Sequence, residues 1–251
     1  MTQLRKNKVK HKLQSGGLAN ILLGHNTSEI IDSLGPLGFD GMWIEGEHGP
    51  VDFGDLPDLT RACDVWGMTS LVRVNLNIPG VIYRTLDGGA QGVVVPHVNT
   101  ADEARAVVDA SKFAPLGSRG MFVSRQGYGV ADYLTKANDE TLVVVLIEDV
   151  VAIENLAEII SVDNIDVFSV APGDLAQSMG YIGQTDHPAV AETIDKAIKQ
   201  IISAGKVAGA LVHQGNVEAY INKGARFLCT TWVPWLYAGA GAYLNKVSEA
   251  S

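Results

Sequence analysis

Short runs of β-branched and aliphatic residues recur along the chain at intervals of roughly 20 to 30 residues, and between them apolar positions fall three and four apart. The first kind of run predicts strands at 19–24 (ANILLG), 40–45 (DGMWIE), 69–74 (TSLVRV), 92–96 (GVVVP), 142–148 (LVVVLIE), 165–170 (IDVFSV), 207–212 (VAGALV) and 226–230 (RFLCT). The second kind predicts helices at 101–110, behind Thr100 as N-cap, at 150–160 and at 189–204. Eight strands alternating with helices predict an α/β fold, a single (β/α)8 barrel over residues 1–251. The runs at 92–96 and 165–170 are continuously apolar, as expected of strands covered by helices outside and by the barrel core inside.

Two segments stand apart from this rhythm. The long interval 115–141 carries Arg119-Gly120 and a glycine- and aromatic-bearing stretch from Ser124 to Tyr133. It reads as an extended βα loop near the barrel mouth, with a lid as one use for it. After the last strand, Trp232, Trp235 and Tyr237 fall among small residues, predicting a C-terminal helix at about 232–247. Such a helix either covers the barrel or meets another subunit.

Composition narrows the partners. A formal charge of −9 argues against surfaces that neutralise nucleic-acid phosphates or anionic lipid. The basic run Arg5, Lys6, Lys8, Lys10 and Lys12 reads as a solvated N-terminal segment, with a binding arm as the alternative. The start is charged and lacks the apolar core of a signal peptide, and no apolar stretch approaches the ~20 residues needed to span a bilayer. Cys63 and Cys229 are too few for a disulfide framework or a thiolate metal site. A cytoplasmic protein is expected.

In barrels of this kind the chemistry sits at the carboxyl ends of the strands. There the sequence delivers Glu45, Glu47 and His48 after the second strand, Arg73 on the third, His97 after the fourth, Glu148-Asp149 after the fifth and Asp174 after the sixth. Glu148 and Asp174 lie 26 positions apart, about one βα unit, so they project from neighbouring strands toward one point. Without cysteine or clustered histidine nearby, two such carboxylates fit an oxygen-rich divalent site for Mg²⁺ or Mn²⁺, with Co²⁺ also compatible. The alternative for Asp174 is to cap the helix that follows it. His48 is placed for proton transfer or for a loop hydrogen bond. Arg73, inside an apolar strand, needs an anion: a substrate carboxylate, a developing enolate, or a salt bridge with Glu45 or Glu47. None of the lysines falls at a strand's carboxyl end, which favours metal-assisted enolisation over imine chemistry.

The segments GFDGMWIEGEH (38–48), VPHVNTADEAR (95–105), VLIE (145–148) and APGDLAQSMG (171–180) resemble the HpcH/HpaI aldolase family, the class II pyruvate aldolases, in that family's order and spacing. The resemblance implies a barrel of the phosphoenolpyruvate/pyruvate superfamily type, acting on 4-hydroxy-2-oxo acids and releasing pyruvate, or a close 2-oxo acid, and an aldehyde. It implies Glu148 and Asp174 as metal ligands, Arg73 on the keto or enolate oxygen, and His48 with Asp87 as a proton-transfer dyad. It also implies Ala171, Gly173 and Asp174 beside the substrate carboxylate, and a hexamer with the last helix packed on a neighbour. Three positions depart from the family pattern: Leu146 in place of glutamine, Glu45 in place of aspartate, and Ala171-Pro172-Gly173-Asp174 in place of Gly-Pro-Ala-Asp. The alternatives are a related lyase, such as a citramalyl- or malyl-thioester lyase or a decarboxylase, and a barrel that binds oxo acids without turning them over.

Overall fold

The computed structural model describes residues 3–251. Eight parallel strands, β1 Ala19–Gly24, β2 Gly41–Glu45, β3 Thr69–Arg73, β4 Gly92–Val95, β5 Leu142–Ile147, β6 Val167–Val170, β7 Ala208–Leu211 and β8 Phe227–Thr231, pair in sequence order and close through β1 and β8. The fold is the predicted (β/α)8 barrel. Every residue of β5 is buried because its two faces serve two cores. Val144 and Leu146 join Ile21, Trp43, Leu71 and Phe227 inside the barrel, while Val143, Val145 and Ile147 meet the helices outside. This double burial makes the strand continuously apolar.

Helix Ala101–Ser111 begins with a complete capping box, Thr100 and Glu103 each bonding the other's backbone amide. The helical run predicted at 150–160 is instead two short helices, Val150–Glu154 and Leu156–Ile160, with Asn155 between them donating its Nδ2 to the Asn99 carbonyl at 2.9 Å. Among the described residues no helix is long and apolar enough to cross a membrane.

The N-terminal segment is only partly solvated, with Arg5, Lys6 and Lys8 exposed and Lys10 buried, and it is not an arm. Residues Lys8–Gln14 form a helix that closes the N-terminal end of the barrel, with Val9 and Leu13 in the interior core. Its basic residues are spent on carboxylates around that rim: Lys8 and Lys12 reach Asp40 at 3.3 and 2.7 Å, and Arg5 reaches Asp64 at 3.3 Å. Lys10 is buried, donating to Thr141 O at 2.8 Å and pairing with Asp166 at 3.0 Å. With four of its five basic residues paired in this way, the run belongs to a structural plug.

The segment 115–141 also sits elsewhere than predicted. Helix Ala101–Ser111 has already carried the chain back from the mouth, and Leu142 opens the next strand, so the segment is an αβ connection at the N-terminal face. Its contacts agree: Arg125 reaches Asp64 at 2.7 Å, Gln126 donates to Gly89 O at 2.8 Å, and Lys112 donates to Thr141 O at 2.7 Å. It therefore forms no lid over the mouth of its own barrel.

The C-terminal helix spans Val233–Ala250, and none of its residues is buried. Trp235 stacks on Phe39 with ring centroids 6.1 Å apart, while Leu236, Tyr237, Tyr243 and Leu244 remain exposed. A helix lying over its own barrel would have buried one face.

Candidate active site

The mouth is organised around Arg73, the last residue of β3, in register with Glu45 at the end of β2. The Arg73 Nε donates to Glu45 Oε2 at 2.8 Å and Nη2 lies 2.7 Å from the same oxygen, while Nη1 reaches Glu47 Oε2 at 2.8 Å. The half-buried guanidinium is thus paired with two carboxylates of its own chain, the salt-bridge alternative for it, and this fixes the plane of its fork. Glu45 also accepts the amides of Glu47 at 2.8 Å and His48 at 3.0 Å. Burial works to raise its carboxyl, but the bonds from Arg73 and these amides outweigh it, and Glu45 sits below the ordinary carboxylate range. Glu47 is shifted upward, chiefly by burial, with Arg73 opposing.

Glu148 follows β5 directly and is 1% exposed. Its Oε1 accepts the His97 amide at 2.7 Å, and its Oε2 is buried with no hydrogen-bond partner. Burial, reinforced by Asp174, pushes its carboxyl up to about 7. Asp174 approaches from the first turn of helix Pro172–Ser178, whose Ser178 hydroxyl accepts the Val150 amide at 2.9 Å and ties that helix beside Glu148. The N-cap of this helix is Ala171, so Asp174 is not its cap and its exposed carboxylate is free for other work. A Cβ built on Gly173 would meet open space.

A divalent cation suits this pair. An orphaned buried carboxylate oxygen lacks what a cation supplies, and a second carboxylate beside it is repelled until one arrives. Among the described residues no group of three or more histidine, cysteine, aspartate or glutamate side chains is arranged to enclose an ion. An ion held here would have Glu148 and Asp174 as its protein ligands, and water and substrate would supply the rest.

His48 stands in the loop after β2, 68% exposed in its side chain, with Nε2 3.7 Å from Glu47 Oε2. Asp87 does not join it. Asp87 ends helix Pro79–Asp87, the end away from the mouth, and its carboxylate accepts Arg119 Nη2 at 2.7 Å. A dyad of these two residues is absent from the single chain because their elements end at opposite faces of the barrel. Leu146 packs inside the apolar barrel core, so the position usually held by glutamine contributes an apolar floor beneath Glu148.

Three further residues belong to the mouth. Glu47 lies between the Arg73 guanidinium and two imidazoles, His48 and His97. His97 Nδ1–H donates to Asp149 Oδ2 at 2.9 Å, and that bond raises the imidazole above its ordinary value against the opposing effect of burial. The sequence placed all three at strand ends, but separation along the chain carries no information on which side chains meet across the mouth.

The fold is a closed (β/α)8 barrel whose acids, imidazoles and one guanidinium collect at the carboxyl ends of its strands, where enzymes of this fold work. The sequence profile of the HpcH/HpaI aldolase/citrate lyase family matches residues 21–230, and the chain belongs to that family. It is 39% identical over 207 residues to a hydroxypyruvate/pyruvate aldolase of Roseobacter denitrificans, covering 80% of each chain. It is 37% identical over 229 residues to a 4-hydroxy-2-oxo-heptane-1,7-dioate aldolase of Salmonella arizonae, covering 89% of this chain and 87% of that one. Among solved structures, an HpcH/HpaI aldolase/citrate lyase family protein from Burkholderia cenocepacia superposes with a TM-score of 0.91 at 26% identity, over 97% of this chain and 100% of the other.

Proposed function

We propose that this chain is a class II aldolase, a carbon–carbon lyase that reversibly cleaves 4-hydroxy-2-oxo acids to pyruvate, or a close 2-oxo acid, and an aldehyde. The observation that carries the reading is the partnerless, buried Glu148 Oε2 beside Asp174 at adjacent strand ends. Glu148 and Asp174 would hold Mg²⁺ or Mn²⁺, with Co²⁺ compatible, and the ion supplies Lewis-acid polarisation of the oxo acid. The amides of Gly173 and Asp174, next to Ala171, precede the first intrahelical bond, donated by Leu175 to Ala171 O at 3.1 Å, and are oriented to receive the substrate carboxylate.

Arg73 then has a defined task. Fixed by Glu45 and Glu47, it keeps N–H groups for the oxygen on which negative charge grows as the enolate forms, at no cost of reorganisation. His48, exposed and next to Glu47, moves the proton to and from the reacting carbon and the C4 hydroxyl. Imine chemistry has no amine to use at the mouth, since the two buried lysines, Lys10 and Lys112, are sealed at the far end of the barrel.

The exposed apolar helix Val233–Ala250 supports a homo-oligomer, a hexamer by family likeness, in which this helix lies on a neighbouring copy. Assembly is also the only route by which Asp87 can approach a His48. The deciding experiment is deuterium exchange at the methyl group of pyruvate, followed by NMR on metal-stripped protein with and without added Mg²⁺ or Mn²⁺, beside Glu148→Gln. Exchange that needs both ion and Glu148 is expected; its absence under every condition would overturn the reading.

A further inference from the structure

His97 and Asn164 are the non-glycine residues with positive φ among those described, at +52° and +64°. Asparagine and histidine enter the left-handed region more often than other side-chain-bearing residues, but the conformation still carries a cost that local contacts must offset. At His97 two contacts do so. Its amide donates to Glu148 Oε1 at 2.7 Å, and its ring Nδ1–H donates to Asp149 Oδ2 at 2.9 Å. One residue at the end of β4 therefore grips two consecutive residues at the end of β5, by backbone on the first and by side chain on the second.

The grip decides which oxygen of Glu148 is free. With Oε1 engaged, Oε2 is left buried and partnerless. We infer that His97 is a positioning residue for the ion site: Asp149 holds its imidazole, the imidazole holds residue 97 in the left-handed conformation, and the amide so presented pre-sets Glu148 to ligate through Oε2 alone. The ring bond needs only an N–H at Nδ1, which the neutral tautomer and the imidazolium both carry. The inference rests on the proposed reading of Glu148 as a metal ligand. It adds a brace that reaches the ion through Glu148 and touches neither ion nor substrate.

The test is Mn²⁺ affinity of the metal-stripped protein without substrate, read by electron paramagnetic resonance of the free ion, with circular dichroism as the check on folding. Glycine accepts the required φ freely and valine resists it. His97→Val should weaken binding about 10-fold or more, within the 10- to 100-fold range typical of residues that orient ligands. His97→Gly should fall between it and wild type. Asp149→Ala should weaken binding several-fold, and Asp149→Asn, equally uncharged but still an acceptor for Nδ1–H, should restore most of the loss. Should His97→Val fail to fold, the Asp149 pair decides alone. Wild-type affinity in His97→Val or in Asp149→Ala, while Glu148→Gln abolishes binding, overturns the brace and spares the metal reading. Wild-type affinity in Glu148→Gln overturns both.

Discussion

Lys112 is a charged side chain sealed inside the molecule, 2% exposed, and its ammonium donates only to carbonyls: Asn138 O at 2.9 Å and Thr141 O at 2.7 Å. Burial, then the nearby Lys10 ammonium, pulls its pKa from 10.5 down to about 7. The sign of the consequence is fixed. In the folded chain the amine releases its proton near pH 7, whereas in the unfolded chain it keeps the proton to about pH 10. Between those limits the unfolded state binds more protons, so stability rises with pH, by up to about 1.4 kcal/mol per unit. From pH 6.5 to 8.5 the gain is about 2 kcal/mol. Lys112→Met removes the titrating group while keeping most of the volume, so its stability relative to wild type should fall by about that amount over the same interval. Urea unfolding at pH 6.5, 7.5 and 8.5, at one protein concentration, measures it. Burial raises the thiols of Cys63 and Cys229, which destabilises the fold only above about pH 9 and equally in both proteins. Parallel stability profiles for the two proteins would refute the reasoning, because the ammonium would then be charged in the folded chain.

Two other perturbations test the mouth and the proposed assembly. Arg73→Lys keeps the charge but cannot hold Glu45 and Glu47 in one fork, and kcat for aldol cleavage should drop roughly 100-fold; a loss below about threefold removes Arg73 from the chemistry. Leu244→Arg places a charge on the exposed apolar helix, and sedimentation velocity should show a smaller species than wild type; a wild type that sediments as a monomer contradicts the assembly.

The barrel was legible because its physics repeats: each β-branched run is short, covered on both sides, and followed by a helix with a three-and-four apolar spacing. Glu148 and Asp174 were legible for a related reason, since one βα unit of separation places residues on neighbouring strands. What periodicity does not encode is the face at which a loop emerges. The segment 115–141 was assigned to the mouth although helix Ala101–Ser111 had already returned the chain to the opposite end. The same blindness left Lys10 in solvent; the pairing of Asp87 with His48 came from the family resemblance and not from periodicity. Arg73 shows a different limit. Its sequence setting demanded an anion, and only the register of β2 with β3 shows that Glu45 and Glu47 supply one from within the chain. His97 depends on a backbone torsion that nothing in Pro96-His97-Val98 announces.

The plug at the barrel's N-terminal end sets a timetable for synthesis. Its first residues leave the ribosome early, yet their partners come late: Asn7 bonds Glu140 across 133 positions, and Lys10 bonds Asp166 across 156. Until that later chain has emerged, Asn7 and Lys10 lack these partners, although Lys8 and Lys12 can already meet Asp40. The plug helix is thus fully locked down only late, and a growing chain that has not yet reached Asp166 carries a floor in which Lys10 is unpaired, exposed to chaperones and proteases.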